Sequence, residues 1–192
     1  MDNLETKLKI LSETPSDINE HLYTISKYSK ECNYITEMGV RGVISTWALL
    51  NGRPKKMVSY DIQHPNQFGQ DINEVYDVAE ENNIKYDFIL ANVLDVQIEP
   101  TELLFIDTWH SYKQLKKELN IHSKNVSKYI ILHDTTSYEF NDEVSYEMWG
   151  EEWKGEGVGL WKAVEEFLME NNDWILHERF VNNNGLTILK KL

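Results

Sequence analysis

The sequence predicts a doubly wound α/β domain whose sheet is mostly parallel and ends in a C-terminal antiparallel strand pair. Short apolar runs of strand length alternate along the chain with longer segments of helical periodicity, a pattern typical of β-α-β units. Polar residues recur at the end of these runs. The last two runs flank the sequence Asn-Asn-Asn-Gly at 182–185, which is typical of a hairpin turn.

The individual elements follow from local patterns. The first strand, 34–38, leads through a glycine-containing turn into a helix over 45–50, which ends where Gly and Pro follow Asn in 51–54. After the second strand, Val75 and Ala79 recur at the spacing of one helix face. The predicted strands are 34–38, 56–60, 86–90, 103–106, 129–132, 174–180 and 186–189, and the predicted helices are 45–50, 73–82, 112–120 and 160–169.

Composition limits the organisation of the chain and its partners. At roughly 150 residues per domain, the range 1–192 predicts one domain, with an N-terminal helical segment over 1–33 and an acidic insert over 137–156. The formal net charge of −13 argues against nucleic acids and anionic membranes as binding partners, because a protein that binds either one needs a surplus of Lys and Arg. We expect a cytoplasmic protein, since there is no signal-peptide pattern or transmembrane run and the single cysteine, Cys32, suits a reducing compartment.

Polar residues follow the five parallel strands at the point where each strand ends. Ligands of open α/β sheets bind beyond the carboxyl ends of the strands, so these residues are predicted to form one site. They are Glu37, Gly39 and Gly42 after the first strand, Asp61 after the second, Asn92 and Asp95 after the third, Asp107 and His110 after the fourth, and His133 and Asp134 after the fifth.

The turn after the first strand predicts a nucleoside-containing ligand. Gly39 and Gly42 allow the backbone to approach a ligand closely, and the following helix offers free N–H groups. Ser45 or Thr46 is a candidate N-cap of that helix. Asp61 lies about 20 residues further on, at the position from which a carboxylate bridges ribose hydroxyls in nucleoside-binding α/β folds.

Several short motifs share their spacing with a known family. They are Glu37-x-Gly39 with Ser45-Thr46, Asp61, Phe105-Ile106-Asp107-x-x-His110-Ser111-Tyr112, His133-Asp134-Thr135 and the segment 157–168. Through them most of the chain resembles the class I S-adenosylmethionine-dependent methyltransferases. It is most similar to the small branch that contains sugar O-methyltransferases and cephalosporin-hydroxylase-like proteins. The resemblance implies a Rossmann-like sheet and S-adenosylmethionine as the cofactor.

The resemblance also implies roles in cofactor binding. Asp61 would hold the ribose hydroxyls, and Ile62 would pack against adenine. Asn92 stands where the family usually has an Asp that hydrogen-bonds the adenine amino group. Toward the methionine half, the implied residues are Glu37, Gly39, Gly42 and Ser45, with Asp107 beside the sulfonium and the substrate.

One position departs from the family pattern. The family often has a glycine four residues after the first glycine of the turn, but this chain has Val43 there and a glycine at Gly42. Either the loop is shifted by one residue, or the methionine pocket is tighter than usual.

The ends of the fourth and fifth strands are candidates for the catalytic chemistry. Some relatives bind a divalent cation there, and Asp107, His133 and Asp134 would be the ligands of Mg²⁺, Mn²⁺ or Zn²⁺, although imidazole shifts the preference away from Mg²⁺. The alternative is that His133 caps the strand or hydrogen-bonds Asp107 without a metal. Either His110 or His133 is a candidate general base, and Asp107 completes the predicted catalytic set. We expect His21 at the surface, and the alternative is that it reaches the rim of the site.

The insert 137–156 bears on the class of acceptor. It carries seven acids and one base, a net charge of −6, with five aromatic residues among them. One interpretation is that the insert covers the acceptor pocket as a lid. The alternative is that it forms a short helical segment whose acidic side chains face the solvent. Its charge disfavours a polyanionic acceptor.

Together these features predict an enzyme that methylates a hydroxyl group of a small molecule or sugar, neutral or cationic. Two alternatives stay open: a metal-assisted hydroxylase-like enzyme on the same fold, and a nucleoside-binding or partner-binding module without catalysis. We expect no nucleic-acid partner and no membrane partner, and the sequence leaves room for a homo-oligomer.

Overall fold

The computed structural model of the chain describes residues 2–143 and 157–192. Within these ranges, seven strands form one sheet with α-helices on both faces. The strands are β1 Tyr34–Met38, β2 Lys56–Asp61, β3 Lys85–Leu90, β4 Thr101–Ile106, β5 Val126–His133, β6 Trp174–Phe180 and β7 Leu186–Lys191. The helices are α1 Asn3–Glu13, α2 Leu22–Ser29, α3 Ile44–Asn51, α4 Ile72–Glu81, α5 Tyr112–His122 and α6 Gly159–Glu170. Among the described residues, no helix has both the length and the apolar character needed to cross a membrane.

The strand order across the sheet is β3-β2-β1-β4-β5-β7-β6. The first five strands are parallel, and β7 lies antiparallel between β5 and β6. The chain moves outward from β1 to β3 and then returns to place β4 on the other side of β1, so the order reverses between β1 and β4. Ligands of open α/β sheets bind at such a reversal. The predicted fold class is confirmed.

Alternation along the strands divides the apolar residues between two layers. In β4, Leu103 and Phe105 face the layer that contains α1 to α4, whereas Leu104 and Ile106 face α5 and α6. All four side chains are buried, and their removal from water is the main contribution to the stability of both layers. Helices on both faces of a largely parallel sheet give the doubly wound architecture.

The predicted elements are confirmed, with ends that differ by a few residues. The largest difference is in β5, which begins at Val126 rather than at 129. The added residues Ser127 and Lys128 are polar, so the apolar pattern excluded them. In the structure both side chains contact the neighbouring strand β4. The Ser127 hydroxyl donates to the Thr101 carbonyl oxygen at 3.2 Å, and the Lys128 ammonium group lies 2.9 Å from the Glu102 carboxylate.

The candidate N-cap role of Ser45 or Thr46 is wrong. The helix α3 begins at Ile44, and the residue before it, Val43, makes no side-chain cap. Ser45 and Thr46 lie within the first turn, and their hydroxyls donate to Glu37 instead.

Candidate active site at the carboxyl edge of the sheet

Backbone hydrogen bonds join the ends of β1, β2 and β4 just past the strands. The N–H of Gly39 donates to the carbonyl oxygen of Tyr60 at 2.9 Å, and the N–H of Asp107 donates to that of Met38 at 2.8 Å. These bonds fix the turns relative to one another. Polar residues that the sequence places after separate strands therefore share one edge of the sheet.

Glu37 lies at this edge within a cluster of hydroxyl groups. Ser45 and Ser59 donate to its carboxylate at 2.7 and 2.6 Å, and Thr46 donates at 2.9 Å. Burial raises the pKa of Glu37 to about 7, although the three hydroxyls favour the ionised form. Glu37 and Ser45 are both buried and hydrogen-bond each other, which holds the loop that joins them. Their predicted contact with the cofactor stays a prediction.

That loop, between β1 and α3, follows a left-handed path at three residues. Gly39 has a φ of +86°, and a Cβ there would overlap the carbonyl oxygen of Asp107, so only glycine fits. Arg41 and Val43 have φ values of +40° and +56°, which are unfavourable for residues other than glycine and most of all for a β-branched one. Gly42 does not adopt a positive φ. Val43 therefore takes the left-handed conformation at the position where the family often has glycine.

Asp61 holds the same loop from the end of β2. Its Oδ2 accepts hydrogen bonds from the N–H groups of Val40 at 2.8 Å and Arg41 at 3.0 Å. Its Oδ1 accepts one from the N–H of Gln63 at 2.9 Å, which leaves further acceptor capacity on that oxygen. The next side chain, Ile62, is 43% exposed. A carboxylate with a free acceptor position beside an exposed apolar side chain suits a nucleoside, which offers ribose hydroxyls and an apolar base face.

The ends of β4 and β5 carry two carboxylates and two imidazoles in contact. The Nε2 of His110 lies 3.2 Å from Oδ1 of Asp107 and 2.9 Å from Oδ2 of Asp134. The Nδ1 of His133 lies 3.4 Å from the same Asp107 oxygen and 3.2 Å from the same Asp134 oxygen. We call these four residues the imidazole–carboxylate cluster. The structure thus brings together the residues that the sequence named as candidate bases and metal ligands.

Opposite charges stabilise one another within this cluster. Burial favours the neutral form of every member, but the carboxylates outweigh it and raise the pKa of His133 to about 10 and that of His110 well above its usual range. In return, the imidazoles hold the pKa of Asp107 and of Asp134 below the usual range despite burial. The carboxylates therefore favour the protonated form of both imidazoles.

Solved methyltransferase structures align with nearly the whole chain. A candidate caffeoyl-CoA O-methyltransferase from Staphylococcus aureus aligns with a TM-score of 0.65 and 14% identity over 100% of this chain and 93% of that one. The SAH-bound methyltransferase PaMTH1 from Podospora anserina aligns with a TM-score of 0.55 and 14% identity over 100% and 88% of the two chains. Magnesium protoporphyrin IX methyltransferase from Synechocystis PCC 6803, with bound SAH, aligns with a TM-score of 0.60 and 10% identity over 97% and 92%.

No protein-family model and no curated protein matches the chain, so the three-dimensional likeness decides the fold. This chain has the class I methyltransferase fold. The resemblance stated above is thereby confirmed at the level of the fold.

In this methyltransferase fold, two residues beyond β5 surround His110, and the sequence did not single them out. Oε2 of Glu143 lies 2.9 Å from Nδ1 of His110. The ring of Tyr138 stacks on the imidazole with the centroids 4.7 Å apart and the planes 4° apart. Both residues belong to the predicted insert, whose described part, 137–143, packs against the cluster. The rest of the predicted lid, 144–156, lies outside the described residues.

A buried carboxyl group on α5 borders the same region. Glu118 accepts hydrogen bonds from the Thr108 hydroxyl at 2.6 Å and from the Gln114 amide at 2.7 Å, and burial raises its pKa to about 7. Together with Asp107 and His133 it lines a small pocket. No sequence pattern pointed to Glu118, because a glutamate within an amphipathic helix is usually solvated.

His21 lies against His133, so its expected surface position is wrong. It is 1% exposed, and its ring centroid is 6.0 Å from that of His133. Its Nε2 lies 2.9 Å from the carbonyl oxygen of Asn182, in the turn between β6 and β7. Through this turn the N-terminal helical segment meets the carboxyl edge of the sheet.

The Asn92 side chain makes hydrogen bonds within a local turn after β3. Its side-chain oxygen accepts from the N–H of Leu94 at 3.0 Å, and its amide donates to Asp95 at 3.1 Å. The side chain is exposed at the same edge. Its contact with adenine stays a prediction.

Proposed function

We propose that the chain transfers a methyl group from S-adenosylmethionine to a hydroxyl oxygen of a small molecule or sugar. The observation that carries the proposal is the Asp61 carboxylate, which bonds the loop after β1 beside the reversal of the sheet and keeps one oxygen for a further donor. The fold supports the proposal, because two of the solved structures that share it contain SAH.

The nucleoside half of the cofactor would bind at the ends of β2 and β3. Asp61 Oδ1 would accept hydrogen bonds from the ribose hydroxyls, and Ile62 would cover a face of adenine. Asn92 would contact the amino group after releasing one of its local hydrogen bonds. The exposure of Ile62 leaves its apolar surface available for this contact.

The methionine half would lie against the loop after β1. Gly39 and Gly42 present backbone without side chains there, while Glu37 and Ser45 hold the loop from within. Asp107, whose N–H donates to the end of β1, would border the sulfonium. Carboxylates near a sulfonium favour the charged methyl donor over the neutral product by Coulomb attraction.

The chain's own groups supply positioning and a proton acceptor. Methyl transfer requires the acceptor oxygen, the methyl carbon and the sulfur in line, and holding them so contributes much of the rate. The acceptor hydroxyl also loses a proton, and His110 and His133 are the candidate bases. Because the neighbouring carboxylates raise the pKa of both imidazoles, the one that acts as base would first release a proton.

The charge of the edge favours a neutral or cationic acceptor. In the described part of the site, Asp107, Asp134 and Glu143 outnumber the two imidazoles. The remaining acids of the insert add to this excess in the sequence. A polyanionic acceptor would be repelled.

A divalent cation held by Asp107, His133 and Asp134 belongs to the same proposal. Oδ1 of Asp134 is buried and has no hydrogen-bond partner among the described residues, which suits an oxygen that serves a ligand. When bound, the cation would favour ionisation of the acceptor hydroxyl.

Titration calorimetry with S-adenosylmethionine and with SAH tests the cofactor. We expect the wild-type chain to bind both compounds, and Asp61→Ala to weaken binding about 10-fold to 100-fold, since each lost hydrogen bond to a charged group contributes roughly 1.5–3 kcal/mol. Asp77→Ala, on the exposed face of α4, makes the same charge change away from the edge and should bind like wild type.

A wild-type chain that binds neither compound would overturn the proposal. SAH release with a set of sugars and polyols, each paired with its phosphorylated form, then tests the acceptor class. We expect turnover with the unphosphorylated members, and turnover of the phosphorylated members alone would contradict the charge argument.

A further inference from the structure

We propose that His110, held in place by Glu143, joins Asp107 and Asp134 as a ligand of the divalent cation, and that the site prefers Zn²⁺, Co²⁺ or Mn²⁺ to Mg²⁺. The inference rests on the cation of the proposed function and deepens it, because it names a different imidazole ligand and a class of metal. It also makes Glu143 a positioning residue.

Two of the three distances between the donor atoms match those around a bound cation. His110 Nε2 lies 3.2 Å from Asp107 Oδ1 and 2.9 Å from Asp134 Oδ2. One ligand atom from each of the three residues lies within 4.8 Å of the others. Bonds of about 2.0–2.2 Å to one ion place neighbouring ligand atoms about 3.0–3.5 Å apart. Little movement would therefore be needed to place an ion between them.

Glu143 gives His110 the outer support that metal-bound imidazoles usually have. A ligating histidine commonly donates its other ring N–H to a carboxylate, which fixes the ring and increases its basicity. Nδ1 of His110 donates to Glu143 Oε2 at 2.9 Å, and the Glu143 N–H donates back to the His110 carbonyl at 2.8 Å. Two hydrogen bonds thus aim Nε2 at the carboxylates.

Asp142 fixes Glu143 in turn. Its carboxylate accepts from the N–H groups of Tyr112 at 2.8 Å and Gly159 at 3.0 Å, the first residues of α5 and α6. A carboxylate at two helix N-termini is stabilised by both helix dipoles. The support of His110 is therefore anchored to the two helices on that face of the sheet.

His133 lacks such support. Its Nδ1 faces the same carboxylate oxygens, but its Nε2 is buried without a hydrogen-bond partner among the described residues. The absence of an outer acceptor makes His133 the weaker ligand. Assigning His110 to the ion leaves His133 as the candidate base.

A second observation, independent of the donor spacing, points to a ligand at this place. The side chain of Asp134 is 7% exposed, and its Oδ1 has no hydrogen-bond partner in the described part of the chain. An unpaired buried carboxylate oxygen is destabilising, and a bound cation would remove this cost.

The donor set selects the metal. Mg²⁺ prefers oxygen ligands in near-ideal octahedral geometry, whereas imidazole nitrogen suits Zn²⁺ and other transition metals. We therefore expect Mg²⁺ to be a weak competitor.

Titration of the full-length, chelator-treated chain with Co²⁺ tests the inference without methyl transfer. We expect a visible ligand-field absorption band in the wild-type protein. At the same Co²⁺ concentration, this band should be lost in His110→Ala and His110→Gln. The affinity for Co²⁺ should be about 10-fold lower in Glu143→Gln and up to 100-fold lower in Glu143→Ala. Glu170→Gln, at the exposed end of α6, is the matched control and should bind like wild type. Circular dichroism and melting confirm that each variant is folded.

Three results would overturn the inference: wild-type affinity in both His110 variants, a larger loss in His133→Ala than in His110→Gln, or displacement of Co²⁺ by an equal concentration of Mg²⁺. If Glu143→Gln shows the same absorption band and the same Co²⁺ affinity as Glu170→Gln, Glu143 does not position His110. Titration of the same proteins with S-adenosylmethionine separates the two proposals. Cofactor binding without Co²⁺ binding contradicts this inference alone, and Co²⁺ binding without cofactor binding contradicts the proposed function alone.

Discussion

Two carboxylates at the same edge of the sheet have opposite shifts of pKa. Glu37, on β1, accepts hydrogen bonds from three neutral hydroxyls, and its pKa rises to about 7. Asp107, after the neighbouring strand β4, contacts two imidazoles, and its pKa falls below the usual range. Burial favours the neutral form of both. The charge of the donors therefore decides which carboxylate stays ionised.

The two regions also differ in how fully their polar atoms are paired. Both oxygens of Glu37 have hydroxyl donors. Oδ1 of Asp134 and Nε2 of His133 have no partner among the described residues. A fully paired cluster of neutral donors supports the backbone, whereas an incompletely paired, charged cluster suits a ligand.

Gly39 lies between the two regions, and its replacement should have the largest effect. In Gly39→Ala, the new Cβ would overlap the Asp107 carbonyl at a φ of +86°, so the loop must move. We expect the free energy of unfolding in urea to fall by about 3 kcal/mol or more, from backbone strain plus overlap. Gly69→Ala has a similar φ of +74° but open space around the Cβ, and should lose only about 1 kcal/mol. Equal losses would contradict the close approach of the two regions.

The pH dependence of stability tests the neutral cluster. The folded chain binds the Glu37 proton more tightly than the unfolded chain, whose pKa is near 4.5, so this residue lowers the free energy of unfolding as the pH rises from 4.5 through 7. The difference between Glu37→Gln and wild type should shift by roughly 3 kcal/mol in favour of the variant between pH 4.5 and pH 8. Urea unfolding at several pH values measures it. A difference that stays constant would mean that Glu37 is ionised throughout.

The smallest expected effect concerns the strained valine of the loop. Val43→Gly removes a buried apolar side chain, which lowers the free energy of unfolding, and removes the backbone strain of a β-branched residue in the left-handed conformation, which raises it. Each effect is roughly 1–2 kcal/mol, so the two should largely cancel. Val40→Gly removes an equally buried side chain without such relief and should cost about 1–2 kcal/mol more. Thermal or urea unfolding compares the pair. An equal loss in both variants would show that Val43 is not strained.

The sequence predicted the elements well because they depend on local patterns. Apolar runs placed all seven strands, and the polar residues after β1, β2, β4 and β5 do lie at one edge. The prediction was wrong where a side chain's surroundings come from distant segments. Ser45 was a candidate cap, yet it donates to Glu37. His21 was expected in solvent, yet it packs on a residue of β5 more than 100 positions away.

The sequence by itself determined the order of strands and helices, the acidic charge and the set of polar residues at the carboxyl edge, since all of these are properties of short segments. Only the tertiary structure decided which of those groups pair. It buries Glu37 among hydroxyl groups and gives Val43 its left-handed conformation in the loop. It also brings Glu143 into contact with His110, which lies 33 positions earlier in the chain. The ionisation and orientation of these groups depend on packing between elements, which local periodicity does not encode.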